Sequence, residues 1–434
     1  MAANQDKMNT IPILQGRRIL LGVTGSVAAY KAVDLASRLT QFGSLVDVIM
    51  TSSAHRFVTP LSFQSVTGRR VYDNLWGEEA HILHVRLVED ADLFVVAPCT
   101  AQTMAKLAHG LADDLLTVAA LAACCPLMIA PAMDGNMWAQ PATKANANTL
   151  QERGTMIVGP DQGRMASGLG GMGRLVEPTE ILGHIRLAIG AGGSLAGRKC
   201  VVTAGGTQES IDPVRFISNH SSGKQGYALA QASLDRGAQV TLITTPVSVP
   251  PPVGINQVDV CSAAEMAEAV LIEVADADVL IMAAAVADFS PQAKSEQKIS
   301  LAPESDLHLT LECTQDILSA TAKLRAASGK PHIVVGFAAE SENLLDNARS
   351  KLRHKQLSLI AANNILASDS GFFVDTNRIT LIDANDRVEE LPLMSKAQAA
   401  DLICDRIVNM LDSRGRCQPP ELRCPPPEEP SKTC

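Results

Sequence analysis

Residues 17–39, RRILLGVTGSVAAYKAVDLASRL, decide the fold. The apolar run Arg18–Val23 has strand character, GVTGS is a tight turn of small residues, and residues 27–39 repeat apolar side chains at helical spacing. The helix is predicted to end at Gly43, with LVDVIM (residues 45–50) as the next strand. A strand, a crossover helix and a second strand in succession demand parallel pairing with a right-handed connection.

The same unit recurs. KCVVTAGGTQES (199–210) leads from a strand at 200–203 into a longer loop. SNHSSGKQGYALAQASLDRG (218–237) then supplies a helix at 224–236, and QVTLIT (239–244) the following strand. Further on, VEDADLFVVAPCTA (88–101) is echoed by VADADVLIMAAAVA (274–287). In both, an Ala-Asp pair precedes an apolar run of the kind a strand covered on both faces requires. The fold class expected is α/β, with two doubly wound, mostly parallel-sheet Rossmann-like domains in tandem. Their expected bounds are 1–190 and 191–413, joined by a Gly/Ala-rich linker at AIGAGGSLAG (188–197). The tail 414–434 is too rich in proline for regular structure, and its Cys417, Cys424 and Cys434 read as incidental thiols in preference to a metal or redox element.

Composition excludes several functions. The 434 residues suffice for two or three domains, and 46% hydrophobic with 19% charged residues is globular. Aromatics at 3% and a formal net charge of −9 disfavour nucleic acid and anionic membranes as partners. Ten cysteines without a C-x-x-C pair, behind an N-terminus that has no long apolar run, lead us to expect a reducing, cytoplasmic location. Residues 115–133 carry no charge, but Pro126 and Pro131 divide them, so a buried helix followed by a buried strand is expected in place of a membrane span.

GVTGS after the first strand suits a phosphate at a helix N-terminus as well as it suits a plain turn. It is neither G-x-G-x-x-G nor a Walker A sequence. Three later segments carry more information: residues 84–117 (HVRLVEDADLFVVAPCTAQTMAKLAHGLADDLLT), 131–138 (PAMDGNMW) and 166–178 (ASGLGGMGRLVEP). Taken in order with the opening turn, they make residues 17–185 resemble the flavin-dependent cysteine decarboxylases. That resemblance implies FMN, and a decarboxylation in which the flavin turns the cysteine thiol into an electron sink and later returns the electrons. It implies that His84, in H-x-x-L-x-x-x-A-D, is the base near the flavin, where the residue alone reads as a satisfied or surface histidine; His81 is its decoy. Gly25, Ser26, Thr51, Ser52, Pro98, Thr100 and Thr103 are implied as flavin contacts, and Met133, Asn136 and Met137 as substrate contacts. Two positions depart from the family. Asp134 stands where it has Asn, and Ser167 where it has its reductive cysteine. These departures leave open a flavin half that serves only for binding or oligomerisation.

GGTQESIDPVRFISNHSSGKQGYALA (205–230) gathers small polar residues before a helix. A solvated capping loop is the plain reading. A Ser/His hydrolase is disfavoured because adjacent residues do not face one another as a triad does. With AAAVADF (283–289), VVGFAAES (334–341) and AANN (361–364), this segment makes residues 197–410 resemble the ligase half of bifunctional coenzyme A enzymes. The resemblance implies CTP with Mg²⁺, cysteine and 4'-phosphopantothenate as partners, an acyl-cytidylate intermediate, and no metal cage of protein ligands. Lys298, Lys351 and Lys355 are implied as triphosphate lysines, where each alone reads as a solvated surface charge. Asp288, Phe337, Ala283, Ala284 and the stretch Thr314, Gln315, Asp316 and Ile317 are implied at the nucleotide, with Asn219 holding the intermediate for attack by cysteine. Here K-x-K-K reads KISL and T-P-D-I reads TQDI. A homo-oligomer is also implied. A nucleotide-binding regulator without turnover is the reading from another class.

Overall fold

The computed structural model describes residues 11–76, 80–164, 168, 170–300, 307–340, 342–364 and 374–413. Ser167 and the tail from residue 414 lie outside the described residues. The chain divides into two compact units, the first running to Ile189 and the second beginning at Gly190.

In the first unit, β1 (Arg18–Val23), β2 (Leu45–Met50), β3 (Val71–Tyr72), β4 (Leu93–Cys99), β5 (Leu127–Pro131) and β6 (Met156–Ile157) form one parallel sheet in the order β3-β2-β1-β4-β5-β6. Because side chains alternate along a strand, neighbouring residues feed two separate cores. Ile19, Leu21, Val23, Val95 and Ala97 join one, and Leu20, Phe94, Val96 and Cys99 the other. The helix Ala29–Gln41 turns Ala32, Leu35, Ala36 and Leu39 to the first of these, the apolar stripe that its sequence spacing predicts. Residues 115–133 form a helix, Leu115–Ala122, and then β5, as expected. A hairpin of β7 (Asp161–Arg164) and β8 (Gly170–Arg174) completes the unit.

The second unit repeats the plan. β9 (Lys199–Ala204) is followed by the hairpin β10 (Gln208–Ser210) and β11 (Phe216–Ser218), then β12 (Gln239–Thr244), β13 (Asn256–Asp259) and β14 (Val279–Met282). A second hairpin, β15 (Phe289–Pro291) with β16 (Leu311–Cys313), precedes β17 (Ile333–Glu340) and β18 (Leu359–Asn364). The short pair β19 (Thr376–Asn377) and β22 (Met394–Ser395) brackets β20 (Ile379–Asp383) and β21 (Val388–Glu390). The main sheet runs β13-β12-β9-β14-β17-β18-β20-β21, parallel as far as β18 and antiparallel beyond. In both units the chain winds outward from the first strand one way and then the other, which is the doubly wound arrangement expected.

The expected linker is different in the structure. The helix Pro178–Gly190 runs through residues 188–190, and the glycines that follow are packed closely. A Cβ on Gly190 would lie 2.7 Å from the Asp235 carbonyl oxygen, and one on Gly193 would lie 2.6 Å from the Arg236 carbonyl. Small residues stand here because backbone meets backbone. Gly226 has the same requirement inside the helix Lys224–Leu234. Its Cβ would come within 2.6 Å of Ala204 Cβ and 2.8 Å of the Thr203 oxygen. Gly226→Ala should destabilise the second unit by about 1–3 kcal/mol, lowering its urea midpoint at unchanged slope.

Among the described residues, no helix is long and apolar enough to cross a membrane. The seven described cysteines are free thiols.

Candidate functional site

In an open doubly wound sheet, the loops leaving adjacent strands at the winding reversal part and leave a crevice at the strands' carboxyl ends. Each unit has a cleft there. In the first unit a threonine laces the crevice. Thr24 Oγ1, just past β1, donates to the Pro98 carbonyl of β4 at 2.6 Å and accepts from Thr100 N at 3.2 Å. In the second unit, Thr207 Oγ1 accepts from Ala287 N at 2.9 Å, and Ala285 N donates to the Gly205 carbonyl at 2.8 Å. The internal repeat therefore extends to how the crevice is tied.

The first cleft has a volume of about 480 Å³. It is lined by Gly25, Ser26, Thr100, Met133, Asp134 and Met137, all singled out from sequence, and also by Tyr30, Lys31, Phe57 and Arg174. Gly25 is required because a Cβ would sit 2.4 Å from Ser53 Cβ. Ser26 Oγ accepts from Ala28 N at 3.2 Å, at the start of the helix Ala29–Gln41. Thr100 caps the helix Ala101–His109 by accepting from Thr103 N at 3.3 Å. Asp134 caps the helix Gly135–Ala139, its Oδ1 accepting from Asn136 N at 3.0 Å. An asparagine oxygen would accept the same bond, so the departure from the family motif keeps the local backbone. β8 lies against this loop: Met133 N donates to the Gly173 carbonyl at 2.9 Å, and Gly173, at φ 151°, has no room for a Cβ 2.4 Å from the Met133 oxygen. Lys31 is buried, with Nζ donating to the Leu175 carbonyl at 3.1 Å and to Glu177 at 2.8 Å.

Other expected residues stand outside this cleft. Thr51 reaches the Val23 carbonyl, at 3.4 Å, Ser52 is exposed, Pro98 and Thr103 serve the lacing and the cap, and Asn136 is exposed on its short helix. His84 is half-buried on the helix Ala80–Glu89 and does not line the cleft. Among the described residues its Nδ1 is shielded from solvent and has no hydrogen-bond partner. The His81 side chain lies outside the described residues.

The second cleft is larger, about 820 Å³. Asn219, Ala283, Ala284, Asp288, Phe337, Lys351, Lys355 and Thr314 to Ile317 all line it, so loops far apart in sequence converge there. The Asn219 loop is fixed by the side-chain amide, which donates to the Val286 carbonyl at 3.0 Å. It is also fixed by the close approach of Gly206, whose Cβ would lie 2.6 Å from the Asn219 oxygen. Lys351 Nζ donates to the Phe337 carbonyl at 2.8 Å, and burial holds its ammonium below the usual lysine range against the pull of Glu340 and Asp288. Lys355 pairs with Asp316. Burial pushes the Asp316 carboxyl up, but Lys355 and Ser319 outweigh it and leave the group below its usual range. Asp316 caps the helix Ile317–Ser328 through Ser319 N at 3.1 Å. Residue 315 precedes that cap, so a glutamine in place of the family's proline costs the helix no hydrogen bond.

Lys298 is not part of the lining. It is exposed, next to Ile299, whose amide donates to Asp212 at 3.1 Å and whose carbonyl accepts from Arg215 at 2.5 Å. Its segment is therefore clamped to the loop between β10 and β11. Sequence reading assigned no role to Glu340, Gln225, Asn377 or Lys396, all of which line this cleft. Gln225 and Glu340 lie inside quoted motifs whose other residues drew the reading, Asn377 and Lys396 lie outside them, and only the fold brings the four together.

Comparison with known proteins accounts for both halves. A family model described as "Flavoprotein" matches residues 12–190, and one described as "DNA/pantothenate metabolism flavoprotein C-terminal domain" matches residues 195–411. The coenzyme A biosynthesis bifunctional protein CoaBC of Vibrio cholerae is 43% identical over 394 residues, covering 90% of this chain and 97% of that protein. The Bacillus subtilis protein of the same name is 42% identical over 93% of this chain and 99% of its own length. Among solved structures, the C-terminal domain of a CoaBC covers 51% of this chain and 98% of its own, at 36% identity and a TM-score of 0.43. A mutant PPC decarboxylase complexed with pantothenoylaminoethenethiol covers 40% and 98%, at 34% identity and a TM-score of 0.36. The chain belongs to the family of bifunctional coenzyme A biosynthesis enzymes, with a flavoprotein decarboxylase domain first and a ligase domain second.

Proposed function

We propose that the second cleft joins cysteine to 4'-phosphopantothenate using CTP, and that the first decarboxylates the product, 4'-phosphopantothenoylcysteine, with FMN. The observation that carries this reading is the convergence of the Asn219 loop, Phe337 and Ala283–Ala284 with Lys351 and Lys355 on one cavity. A carboxylate oxygen of phosphopantothenate attacks the α-phosphorus of CTP and pyrophosphate leaves. The cysteine amine then attacks the acyl-cytidylate carbonyl and CMP leaves. Both steps need charge neutralisation and positioning more than a protein nucleophile, which suits a cleft walled by lysines and backbone amides. Among the described residues there is no group of three or more candidate metal ligands. A Mg²⁺ ion brought in with the triphosphate would neutralise phosphate charge, and Asp288, Asp316 and Glu340 are the carboxylates of the lining that could hold it.

The first cleft fits FMN. The small residues Gly25 and Ser26 lie at a helix N-terminus, where a single phosphate is stabilised, and Phe57, Met133 and Met137 offer apolar walls to a ring system. Bound there, the flavin supplies the two-electron oxidation that makes loss of CO₂ from a cysteine carboxylate feasible. Asp134 holds the short helix facing that space. Its charge opposes an incoming carboxylate, so Asp134→Asn should keep the cap and lower KM for 4'-phosphopantothenoylcysteine by about tenfold. A raised KM would show that Asp134 assists the substrate.

Free thiols at every described cysteine support a reducing, cytoplasmic setting. Exposed Val27, Tyr30 and Phe57 around the first cleft support self-association. The decisive assay supplies CTP, cysteine and phosphopantothenate and resolves products by mass. Ligated product without CO₂ release would leave the flavin half as a binding module, and pyrophosphate release that ignored phosphopantothenate would sink the ligase reading.

A further inference from the structure

Past β15 the chain continues as an arm, residues 292–300, that carries Lys298. Apolar burial does not hold this arm. Lys294, Glu296, Gln297 and Lys298 are exposed, and Ser295 and Ile299 are only half-buried. Polar bonds hold it instead, to the tip of the β10–β11 hairpin. Ser295 N donates to the Ile211 carbonyl at 2.9 Å, Ile299 N donates to Asp212 Oδ2 at 3.1 Å, and Arg215 Nη2 donates to the Ile299 carbonyl at 2.5 Å.

Asp212 is the centre of this clamp. Its side chain is fully buried, although Val214 and Phe216 beside it are exposed. Oδ1 accepts from Val214 N and Arg215 N, both at 2.8 Å, and so shapes the turn. Oδ2 accepts from Arg215 Nε at 3.0 Å, from Arg215 Nη2 at 2.6 Å and from Ile299 N at 3.1 Å. The turn needs only the first oxygen; the second serves the arm. Burial pushes the carboxyl up, but the amides of Val214, Arg215 and Ile299 and the Arg215 guanidinium outweigh it and leave the group below its usual range. The same two hairpins are tied at the cleft. Asn219, directly after β11, donates to the Val286 carbonyl, and Thr314 Oγ1, directly after β16, donates to the Ala287 carbonyl at 2.7 Å. The Asn219 hairpin and the Lys298 arm therefore form one block, pinned at the cleft and at Asp212.

We propose that Asp212 is a positioning residue for ligation: through Ile299 and Arg215 it sets where Lys298 stands relative to Asn219 and the cleft. This rests on the ligase reading above and deepens it, because Lys298 lies outside the lining and its part in the reaction depends on where the arm is fixed. Asp212 does not line the cleft and acts through Lys298.

The test is a double-mutant cycle on the full chain. Asp212→Asn turns one acceptor into a donor facing other donors. Asp212→Ser keeps a hydroxyl oxygen for the turn amides and drops the reach to the arm, so it stays informative if the asparagine variant fails to fold. Each should lower ligase kcat/KM for CTP by about tenfold or more. In a Lys298→Gln background, the same substitutions should change kcat/KM by less than about twofold, because the residue they position has already been removed. A purely structural role would instead give equal losses in both backgrounds. Trypsin cleavage after Lys298, followed by mass, should become about tenfold faster in the serine variant as the arm is released. Equal losses in the two backgrounds, wild-type kcat/KM in the serine variant, or an arm as resistant to trypsin as the wild type's overturns the proposal while the ligase reading stands. So does full ligation by Lys298→Gln alone. A wild-type chain that ligates nothing overturns the ligase reading itself.

Discussion

Asn219→Asp is expected to cut ligation of cysteine by about 10²–10³-fold while the chain stays folded. The wild-type amide donates to the Val286 carbonyl at 3.0 Å, tying the loop after β11 to the strand-end loop after β14. A carboxylate has no proton for that carbonyl, so attraction becomes repulsion. The new charge also stands in the cleft proposed to hold the triphosphate, where an effective dielectric near 20 makes a like charge at about 4 Å cost ~4 kcal/mol before screening. The loop is exposed, so the effect on stability should stay below about 1 kcal/mol. If Asn219 positions the acyl-cytidylate for the amine, pyrophosphate release should outlast product formation. Equal loss of both would move the role of Asn219 to the first step.

The second large effect is Gly25→Val. A Cβ there would meet Ser53 Cβ at 2.4 Å, the Ser53 carbonyl carbon at 3.0 Å and its oxygen at 3.1 Å. Two of those atoms are backbone, anchored by Ala54 N donating to the Thr51 carbonyl at 2.9 Å. The segment past β1 must therefore move, and it moves at the point where a flavin phosphate would rest. A displacement of about 1 Å there should lower decarboxylation by about 10²-fold. The purified variant should lose most of its flavin per chain by absorbance, and full flavin content at wild-type activity would remove Gly25 from the cofactor site.

Much of this was legible in the sequence because the deciding signals are local. β1, β2 and β12 have the bounds that their apolar runs predict, since strands buried on both faces have no other way to read. Ala283, Ala284 and Asp288 follow the parallel strand β14 and Phe337 lies in β17, so the topology alone brings these to the cleft, while Asn219 and Thr314 to Ile317 arrive on the hairpin strands β11 and β16. Lys396 was not legible: it sits inside an ordinary capping box, between Ser395 and Gln398, and only the pairing of β19 with β22 carries it to the cleft. Lys298 shows the converse, with its motif readable while its segment is clamped to the β10–β11 loop, away from the lining. The joint expected at 188–197 does hold the boundary between the units, but its glycines mark missing room in place of flexibility.

Both sheets end in stubs. β3 and β6 have two residues each, β21 has three and carries Glu389 and Glu390, and β13 is the polar NQVD. Short, charged margins give a neighbouring chain almost no ladder to extend. The margins of the two main sheets are thus poor templates for strand addition, and a crowded solution of this protein should resist fibrous aggregation through them.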